Sequence, residues 1–478
     1  MKIIHKTLTV FTVLLAALIV FSCTLNNYSF AAKPTIPTDL KSIAVTDTSI
    51  TLSWDYSASS NVKSYYIYMN NTYLISTNTT TYTVTDLNPS TAYNFYIKAV
   101  DTRGKISKSS DVITVTTSSS TSLANQALSK KVVGYYAAWS SYSGYTPDKI
   151  DVSKLTHINY AFANISSDLK ISLGYPDIDP YNFQLLNEQK KINPNLKILI
   201  SVGGWTWSDK FSDAAFSETS RTNFANSCID FITTYGLDGI DIDWEYPVSG
   251  GLPTNVNRPE DKHNFTLLLK EIREKLDERE TIDQKDYLLT IAGSAYSSAI
   301  NNMELSLIHE YLDYAMIMTY DIHGTWDSYT DFNSPLYTNN DDSPQYKWSV
   351  DSSVNAWLST SFPKDKLIIG IPFYGYIYSS VNNINNGLYQ TFSGANSIGY
   401  NTILTKYLNT PGFSKYFHSQ SMVPWLFNGS IFITYDDPQS IKIKANYIKE
   451  KDLGGAMIWE LSQDSNNILL NALSEGLK

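Results

Sequence analysis

The stretch that decides the fold is DGIDIDWEYP, residues 238–247. Acidic and apolar residues alternate along it, and successive side chains of a β-strand point to opposite faces. Asp241, Asp243 and Glu245 therefore share one face, while two isoleucines and a tryptophan share the other. In a closed sheet the apolar face suits a covering layer of helices, so the three acids are predicted to point into the interior.

Three carboxyl groups on one strand face are crowded. Alternate Cα atoms of a strand lie roughly 6.5–7 Å apart, and ionised carboxylates at that spacing repel one another strongly in a low-dielectric interior. At least one proton must then be shared and pKa values must rise. A calcium loop is the alternative, but such loops place glycine and asparagine between their acids, whereas isoleucine and tryptophan stand here. The pattern favours an enzyme that needs a protonated acid near neutral pH.

Outward from this strand, the sequence from Val132 onward alternates between apolar strand-like runs and amphipathic helical segments. That alternation is typical of a parallel sheet with both faces covered. Eight such runs occur within residues 132–478, which predicts an α/β fold of the (β/α)8 TIM-barrel type. Glu245 is expected at the end of the fourth strand, at the C-terminal mouth. Residues 376–430 are too long for a simple crossover and predict a small α+β insertion at this rim.

The preceding residues, 33–117, show a different pattern of apolar and polar residues. Short alternating stretches separated by turns, without a helical period, predict an all-β sandwich. Trp54 is expected in its core, and Tyr93 in DLNPSTAYNFY resembles the tyrosine corner of a fibronectin type III domain. The Ser- and Thr-rich segment 118–131 is predicted to be a linker.

Residues 1–31 are predicted to be a secretory signal peptide. Lysines precede an apolar run too short for a comfortable membrane span, and Ser29 and Ala31 suit a cleavage site. The alternative is a lipoprotein signal with lipidation at Cys23, which would anchor the chain to a membrane. If Cys23 leaves with the signal, Cys228 is the single cysteine of the secreted chain and no intramolecular disulfide can form.

The composition restricts the classes of partner that the chain is expected to bind. The net charge of -10 argues against nucleic acid and anionic membranes, which select basic patches. The 35 tyrosines and 10 tryptophans suit either core packing or carbohydrate binding. His157 and His323 lack the spacing of metal ligands, so neither a metal nor a cofactor is expected. We expect a monomer.

The opening stretch also matches the DxxDxDxE signature of glycoside hydrolase family 18, the chitinases and their relatives. Further segments are similar to those of the family: GYY at 134–136, SVGGW at 201–205, MTYD at 318–321 and MIWEL at 457–461. The resemblance covers residues 132–478. It implies hydrolysis of β-1,4 linkages between N-acetylglucosamine units, with chitin or its oligosaccharides as the partner.

The resemblance implies a substrate-assisted, retaining mechanism, in which the N-acetyl oxygen of the substrate is the nucleophile. Glu245 would act as general acid and then as base, and Asp243 would orient the acetamido N–H. Asp241 would hold a shared proton, and Tyr320 would donate a hydrogen bond to the acetamido carbonyl. Substrate-binding or supporting roles are implied for Tyr135, Ser201, Met318, Asp321 and Trp459.

Tryptophans in predicted loops and in the insertion are further candidates for the binding cleft. They are Trp205, Trp207, Trp326 and Trp425. One departure from the family concerns the same region. Many relatives with this insertion carry an arginine after GIPFYG, whereas this chain has Tyr376, which removes a charged donor.

An endo-acting chitinase is the expected activity, because the insertion would deepen the groove for a long linear polymer. Two alternatives stay open. One is an endo-β-N-acetylglucosaminidase that acts on glycoprotein or cell-wall glycans. The other is a non-catalytic lectin on the same fold, although such relatives lose the acid that is present here as Glu245.

Overall fold

The computed structural model describes residues 32–46, 48–85, 87–118, 130–408 and 410–478. The chain divides into two compact units, Met1–Asn125 and Gln126–Lys478. The predicted signal peptide with Cys23 and most of the predicted linker lie outside the described residues. Among the helices that are described, none combines the length and the hydropathy needed to cross a membrane.

The first unit is an antiparallel β-sandwich. Its strands are, in chain order, β1 Lys41–Val45, β2 Ile50–Ser53, β3 Val62–Met69, β4 Thr72–Thr77, β5 Thr81–Val84, β6 Ala92–Asp101 and β7 Ile113–Thr116. One sheet has the order β1-β2-β5 and the other the order β4-β3-β6-β7. The all-β sandwich predicted from the alternating pattern is thereby confirmed.

Two aromatic residues organise the interior of this sandwich. Trp54 is buried and meets the ring of Tyr65 edge-on, with 5.6 Å between ring centroids. Tyr93 is buried as well, and its hydroxyl oxygen accepts a hydrogen bond of 2.8 Å from the backbone N–H of Asn88. This bond pins the turn before β6 to the strand, as a tyrosine corner does.

The second unit begins with β8. Its strands are β8 Lys131–Ala137, β9 His157–Ile165, β10 Ile171–Ser172, β11 Lys197–Gly203, β12 Gly239–Asp243, β13 Leu288–Ser294, β14 Tyr314–Met318, β15 Leu367–Pro372, β16 Tyr374–Ser379, β17 Gly394–Gly399, β18 Ser414–His418, β19 Val423–Phe427, β20 Phe432–Thr434 and β21 Gly455–Trp459. Parallel pairing runs in the order β8-β9-β11-β12-β13-β14-β15-β21, and β21 returns to β8. This closed parallel barrel confirms the predicted fold class.

Helices follow the strands and form the outer layer. They are α1 Asp179–Gln189, α2 Phe211–Phe216, α3 Glu218–Tyr235, α4 Asp261–Asp283, α5 Ser297–Ile300, α6 Leu305–Ile308, α7 Val350–Leu358, α8 Tyr400–Thr402, α9 Pro438–Glu450 and α10 Ile468–Leu477. Short 3₁₀ turns lie at Ala138–Ser143, Pro147–Lys149, Val152–Lys154, Lys364–Lys366, Asn385–Gly387 and Leu461–Asp464, and a π-helical turn at Ile403–Tyr407.

The apolar face of the 238–247 stretch packs on this helix layer, as predicted. Ile240 and Ile242 are fully buried, and Trp244 is 2% exposed. The Trp244 ring lies 5.4 Å from that of Phe211 in α2 and 5.4 Å from that of Phe265 in α4. The opposite face of β12 is therefore directed into the barrel.

The insertion after β15 forms an antiparallel sheet of order β17-β16-β20-β19-β18, with α8 and the π-helical turn between β17 and β18. Its strands run from Tyr374 to Thr434, beyond the expected limits of 376–430 at both ends. Trp425 lies in β19, every residue of which is buried, and stacks on Tyr416 at 5.0 Å. The expectation that Trp425 lines the cleft was wrong, because strand pairing turns its ring into the core.

We expect Tyr93→Phe to weaken the first unit, because the N–H of Asn88 loses its acceptor. The cost is about 1 kcal/mol of unfolding free energy. Hydrogen exchange of the full chain, followed by mass spectrometry, should show faster exchange in the peptide that contains Asn88. Tyr56→Phe, at a 74% exposed position, is the matched control and should leave exchange unchanged. Equal exchange in the two variants would contradict this role of the hydroxyl.

Candidate active site

Asp241 is the deepest of the three acids. Strand register places it opposite Ser201 of β11 and Thr290 of β13. Ser201 Oγ donates to its Oδ2 at 2.7 Å, Thr290 Oγ1 to its Oδ1 at 2.7 Å, and the Tyr135 hydroxyl of β8 to its Oδ2 at 2.6 Å. Burial raises the pKa of Asp241, and these three hydrogen bonds oppose the rise without cancelling it.

Asp243 lies one step nearer the mouth. Its Oδ1 is buried and has no hydrogen-bond partner among the described residues. Burial raises the pKa of Asp243 well above its usual range, and the negative charges of Glu245 and Asp241 raise it further. Asp243 therefore favours its protonated form and keeps one oxygen free to accept a hydrogen bond from a bound molecule.

Glu245 lies beyond the end of β12, which corrects the prediction that it closes the strand. The reason lies in the neighbouring strand: β11 ends at Gly203, whose φ is 102°, and the last pairing bond runs from the N–H of Gly204 to the carbonyl of Asp243 at 2.9 Å. The Glu245 N–H donates instead to Ser208 Oγ at 2.9 Å, and its carbonyl accepts from Asn255 Nδ2 at 2.9 Å. Two side chains thus fix the Glu245 backbone where sheet pairing has stopped.

The carboxyl of Glu245 is poised to exchange a proton near neutral pH. Burial raises the pKa of Glu245 to about 7, with a contribution from the negative charge of Asp321, while a hydrogen bond with Tyr246 acts in the opposite direction. Glu245 is 8% exposed, so the group is buried and yet reachable from the mouth. An acid with this pKa can both donate and accept a proton at pH 7.

The MTYD segment begins at Met318, the last residue of β14. Tyr320 is buried, and its ring packs over Gly370, where an added Cβ would lie 2.7 Å from the ring. Its hydroxyl lies 3.7 Å from Met457 Sδ, a weak acceptor, so its donor capacity is largely unused. Asp321 Oδ1 accepts hydrogen bonds from the hydroxyls of both Tyr374 and Tyr376.

Aromatic rings form a floor beside these acids. The half-buried Trp459 ring lies 5.5 Å from that of Tyr135, 5.7 Å from that of Phe162 and 6.3 Å from that of Trp139. Trp205 is 50% exposed and lines the same cavity as Trp459. Flat rings with apolar faces suit the C–H faces of sugars.

Two cavities meet at Glu245. One has a volume of about 720 Å³ and is lined by Tyr246, Tyr296 and Trp326 among others. The other has a volume of about 290 Å³ and is lined by Trp139, Phe162, Tyr175, Trp207, Asp243 and Trp459 among others. The residues that line both are Trp205, Glu245, Met318, Tyr320 and Asp321. The cleft therefore runs past Glu245 in two directions.

The structure thus gathers the predicted site residues, apart from Trp425, at one end of the barrel. Tyr135, Ser201 and Asp241 lie behind the cavity wall, and the other predicted residues line the cavities. Their roles stay predictions. Sequence reasoning missed Thr290, although a polar residue among the apolar ones of LLTIAGS marks it as inward-facing, and it missed Ser208, for which the sequence offers no comparable signal.

Comparison with known proteins agrees with this geometry. The sequence profile of the fibronectin type III domain matches residues 35–116. Chitinase A1 of Niallia circulans is 40% identical over 416 residues, which cover 74% of this chain and 59% of that protein. Chitinase ChiA of Flavobacterium johnsoniae is 34% identical over 437 residues, which cover 73% of this chain and 28% of that protein. The chain therefore spans less than two thirds of the length of either curated relative.

A solved structure gives the same result. The family 18 N-acetylglucosaminidase of Paenibacillus barengoltzii is 38% identical, with a TM-score of 0.67 over 73% of this chain and 99% of that one. The sequence profile of glycosyl hydrolases family 18 matches residues 131–464, which is more than half of the sequence. The chain therefore belongs to glycosyl hydrolases family 18.

Proposed function

We propose that this chain is a secreted, endo-acting chitinase that cleaves β-1,4 linkages between N-acetylglucosamine units with net retention. The observation that carries the proposal is the position of Glu245, a carboxyl group with a pKa of about 7 at the junction of two cavities. Similarity to Chitinase A1 supports the choice of substrate. Secretion rests on the signal-like pattern of residues 1–31.

In this mechanism a chitin chain crosses the cleft at Glu245. The sugar that carries the reacting carbon stacks on Trp459, and the leaving sugar enters the larger cavity between Trp205 and Trp326. Glu245 donates its proton to the glycosidic oxygen as the bond to the anomeric carbon breaks. The resulting carboxylate later takes a proton from the incoming water, which restores the starting state.

The nucleophile is the carbonyl oxygen of the substrate's own N-acetyl group. Neither of the other carboxyls that line the cleft is suited to attack the anomeric carbon, because Asp243 favours its protonated form and Asp321 Oδ1 is occupied by two tyrosine hydroxyls. The free Oδ1 of Asp243 accepts the acetamido N–H, and the Tyr320 hydroxyl donates to the acetamido carbonyl. These contacts hold the carbonyl oxygen against the anomeric carbon, so that an oxazolinium ion forms.

An N-acetylglucosaminidase is the second candidate, because a family 18 enzyme of that activity is similar over nearly its whole length. The two-sided cleft favours cleavage inside a chain. Products of defined chitooligosaccharides, analysed with anomer detection, separate the two. Dimer-rich products with retained configuration support the proposal, and release of single sugars alone favours the second candidate. Cleavage of high-mannose glycopeptides would instead indicate an endo-β-N-acetylglucosaminidase.

We expect Glu245→Gln to reduce turnover of chitooligosaccharides by at least roughly 100-fold, because the amide cannot supply the proton. Oligosaccharide binding, measured by calorimetry, should be retained, since the side chain keeps its size. Glu278→Gln, on the solvent-facing side of α4 and 65% exposed, is the matched control. Near-normal turnover by Glu245→Gln would contradict this mechanism.

The pH dependence of kcat/KM should change when the charge of Asp321 is removed. This charge raises the pKa of Glu245, so Asp321→Asn should lower that pKa and move the alkaline limb of the kcat/KM profile to lower pH. The direction follows because the acid must be protonated and loses its proton as the pH rises. Asp277→Asn, 61% exposed on α4, serves as control. An unmoved alkaline limb would show that the Asp321 charge does not tune Glu245.

Chitooligosaccharides whose reacting sugar lacks the N-acetyl group should not be cleaved, because the nucleophile is then missing. Mass spectrometry of the products from partially deacetylated oligomers of known sequence checks this. Efficient cleavage after a deacetylated sugar would mean that a carboxylate of the protein attacks the anomeric carbon.

A further inference from the structure

Beyond Asp321 the chain makes a tight turn, residues 323–327, which we call the tryptophan turn. Gly324 and Asp327 bond to each other in both directions: the Asp327 N–H donates to the Gly324 carbonyl at 3.1 Å, and the Gly324 N–H donates to Asp327 Oδ2 at 3.1 Å. Trp326 is at the tip, 60% exposed, and lines the larger cavity. The turn therefore carries an aromatic platform on the leaving-group side of Glu245.

Trp326 has little support of its own. Its ring packs on Gly324, where an added Cβ would lie 2.4 Å from the ring, and meets Tyr376 edge-on at 5.9 Å. An exposed tryptophan on a free turn would sample several rotamers, and ordering it on binding would weaken affinity. The turn itself must therefore be held.

His323 is placed to hold it. The side chain is buried, with Nδ1 at 3.1 Å from Asp327 Oδ2 and Nε2 at 3.6 Å from Asp331 Oδ2. Burial alone would lower the pKa of His323, but the hydrogen bond to Asp327 and the charges of Asp331 and Asp327 raise it above its usual value. The imidazole ring thus bridges the carboxyl group that closes the turn and a second, buried carboxyl group.

Asp331 is a firm anchor. It is buried, its Oδ1 accepts from the N–H of Phe332 at 2.8 Å, and its Oδ2 accepts from Gln345 Nε2 at 3.1 Å. The neighbouring Thr330 exchanges hydrogen bonds with the insertion, through Gly387 and Gln390. Through Asp331, His323 therefore ties the tryptophan turn to buried groups beside the insertion rather than to solvent-exposed groups.

We propose that His323 is a positioning residue for the leaving-group side of the cleft, which clamps the tryptophan turn between Asp327 and Asp331 and so presents Trp326 to the sugar. The predicted effect of His323 on catalysis rests on the proposed function. The predicted effect of His323 on the orientation of Trp326 does not depend on any activity.

A double-mutant cycle tests the catalytic consequence. His323→Ala should raise KM for chitohexaose by about tenfold, the size expected for one lost aromatic contact. Values of kcat, and kcat/KM for a fluorogenic chitobioside with a small leaving group, should change little. In a Trp326→Ala background the same substitution should have no further effect on KM. An equal rise in KM in both backgrounds would overturn the proposal.

Matched variants separate positioning from general destabilisation. His323→Gln keeps an amide that can donate to one aspartate and should recover part of the affinity for chitohexaose; a variant no better than His323→Ala would count against the clamp. His418→Gln removes another histidine–aspartate pair, with His418 Nε2 at 3.1 Å from Asp341 Oδ2, and should leave KM unchanged. A tenfold rise in His418→Gln would also overturn the assignment.

A spectroscopic test needs no turnover. In the full chain labelled with ¹⁵N-tryptophan, the indole signal of Trp326 is identified by its loss in Trp326→Ala. His323→Ala should shift or broaden that signal while the Trp54 signal of the first unit stays in place. An unchanged Trp326 signal overturns the clamp. If the clamp holds by this measure but the parent chain cleaves no chitooligosaccharide, the proposed function fails and the structural role of His323 stands.

Discussion

The buried carboxyl of Asp241 is the constraint on which the cleft depends. Moving a carboxylate into a protein interior is costly unless hydrogen bonds replace its water. Here hydroxyls from three different strands, Tyr135 of β8, Ser201 of β11 and Thr290 of β13, donate to it. Asp241 thus connects three strands of the barrel wall. Asp243 and Glu245 follow on the same side of the chain and lie successively nearer the mouth.

Nearer the mouth, burial and the charges of neighbouring carboxyls together set the proton affinities of Asp243 and Glu245. Burial raises the pKa of both Asp243 and Glu245; the charges of Glu245 and Asp241 raise the pKa of Asp243 further, and the charge of Asp321 does the same for Glu245. Each of these carboxyl groups belongs to an ordinary aspartate or glutamate. The site retains a proton near pH 7 because four largely buried carboxyls lie close together beside hydroxyl donors and, among the residues that line both cavities, no cation.

Local pattern predicted much of this and tertiary detail decided the rest. Strict alternation in DGIDIDWEYP gave the inward face of β12, and the count of apolar runs gave the closed barrel. The exit of Glu245 from the strand was not predictable, because it depends on the positive φ of Gly203 and on a hydroxyl of Ser208. Trp326 and Trp425 looked alike in sequence, yet strand pairing buries only the second.

Tyr376 shows how a neutral side chain at this position preserves the charge of Asp321. An arginine within hydrogen-bond distance of Asp321 would offset its charge and with it the contribution of that charge to the raised pKa of Glu245. Two neutral hydroxyls, of Tyr374 and Tyr376, orient the same carboxyl without cancelling that charge. The Tyr376 ring also meets Trp326 edge-on. One tyrosine therefore connects the carboxyl group whose charge raises the pKa of Glu245 with Trp326, which lines the larger cavity. An arginine could make that link only by offsetting the charge of the carboxyl group.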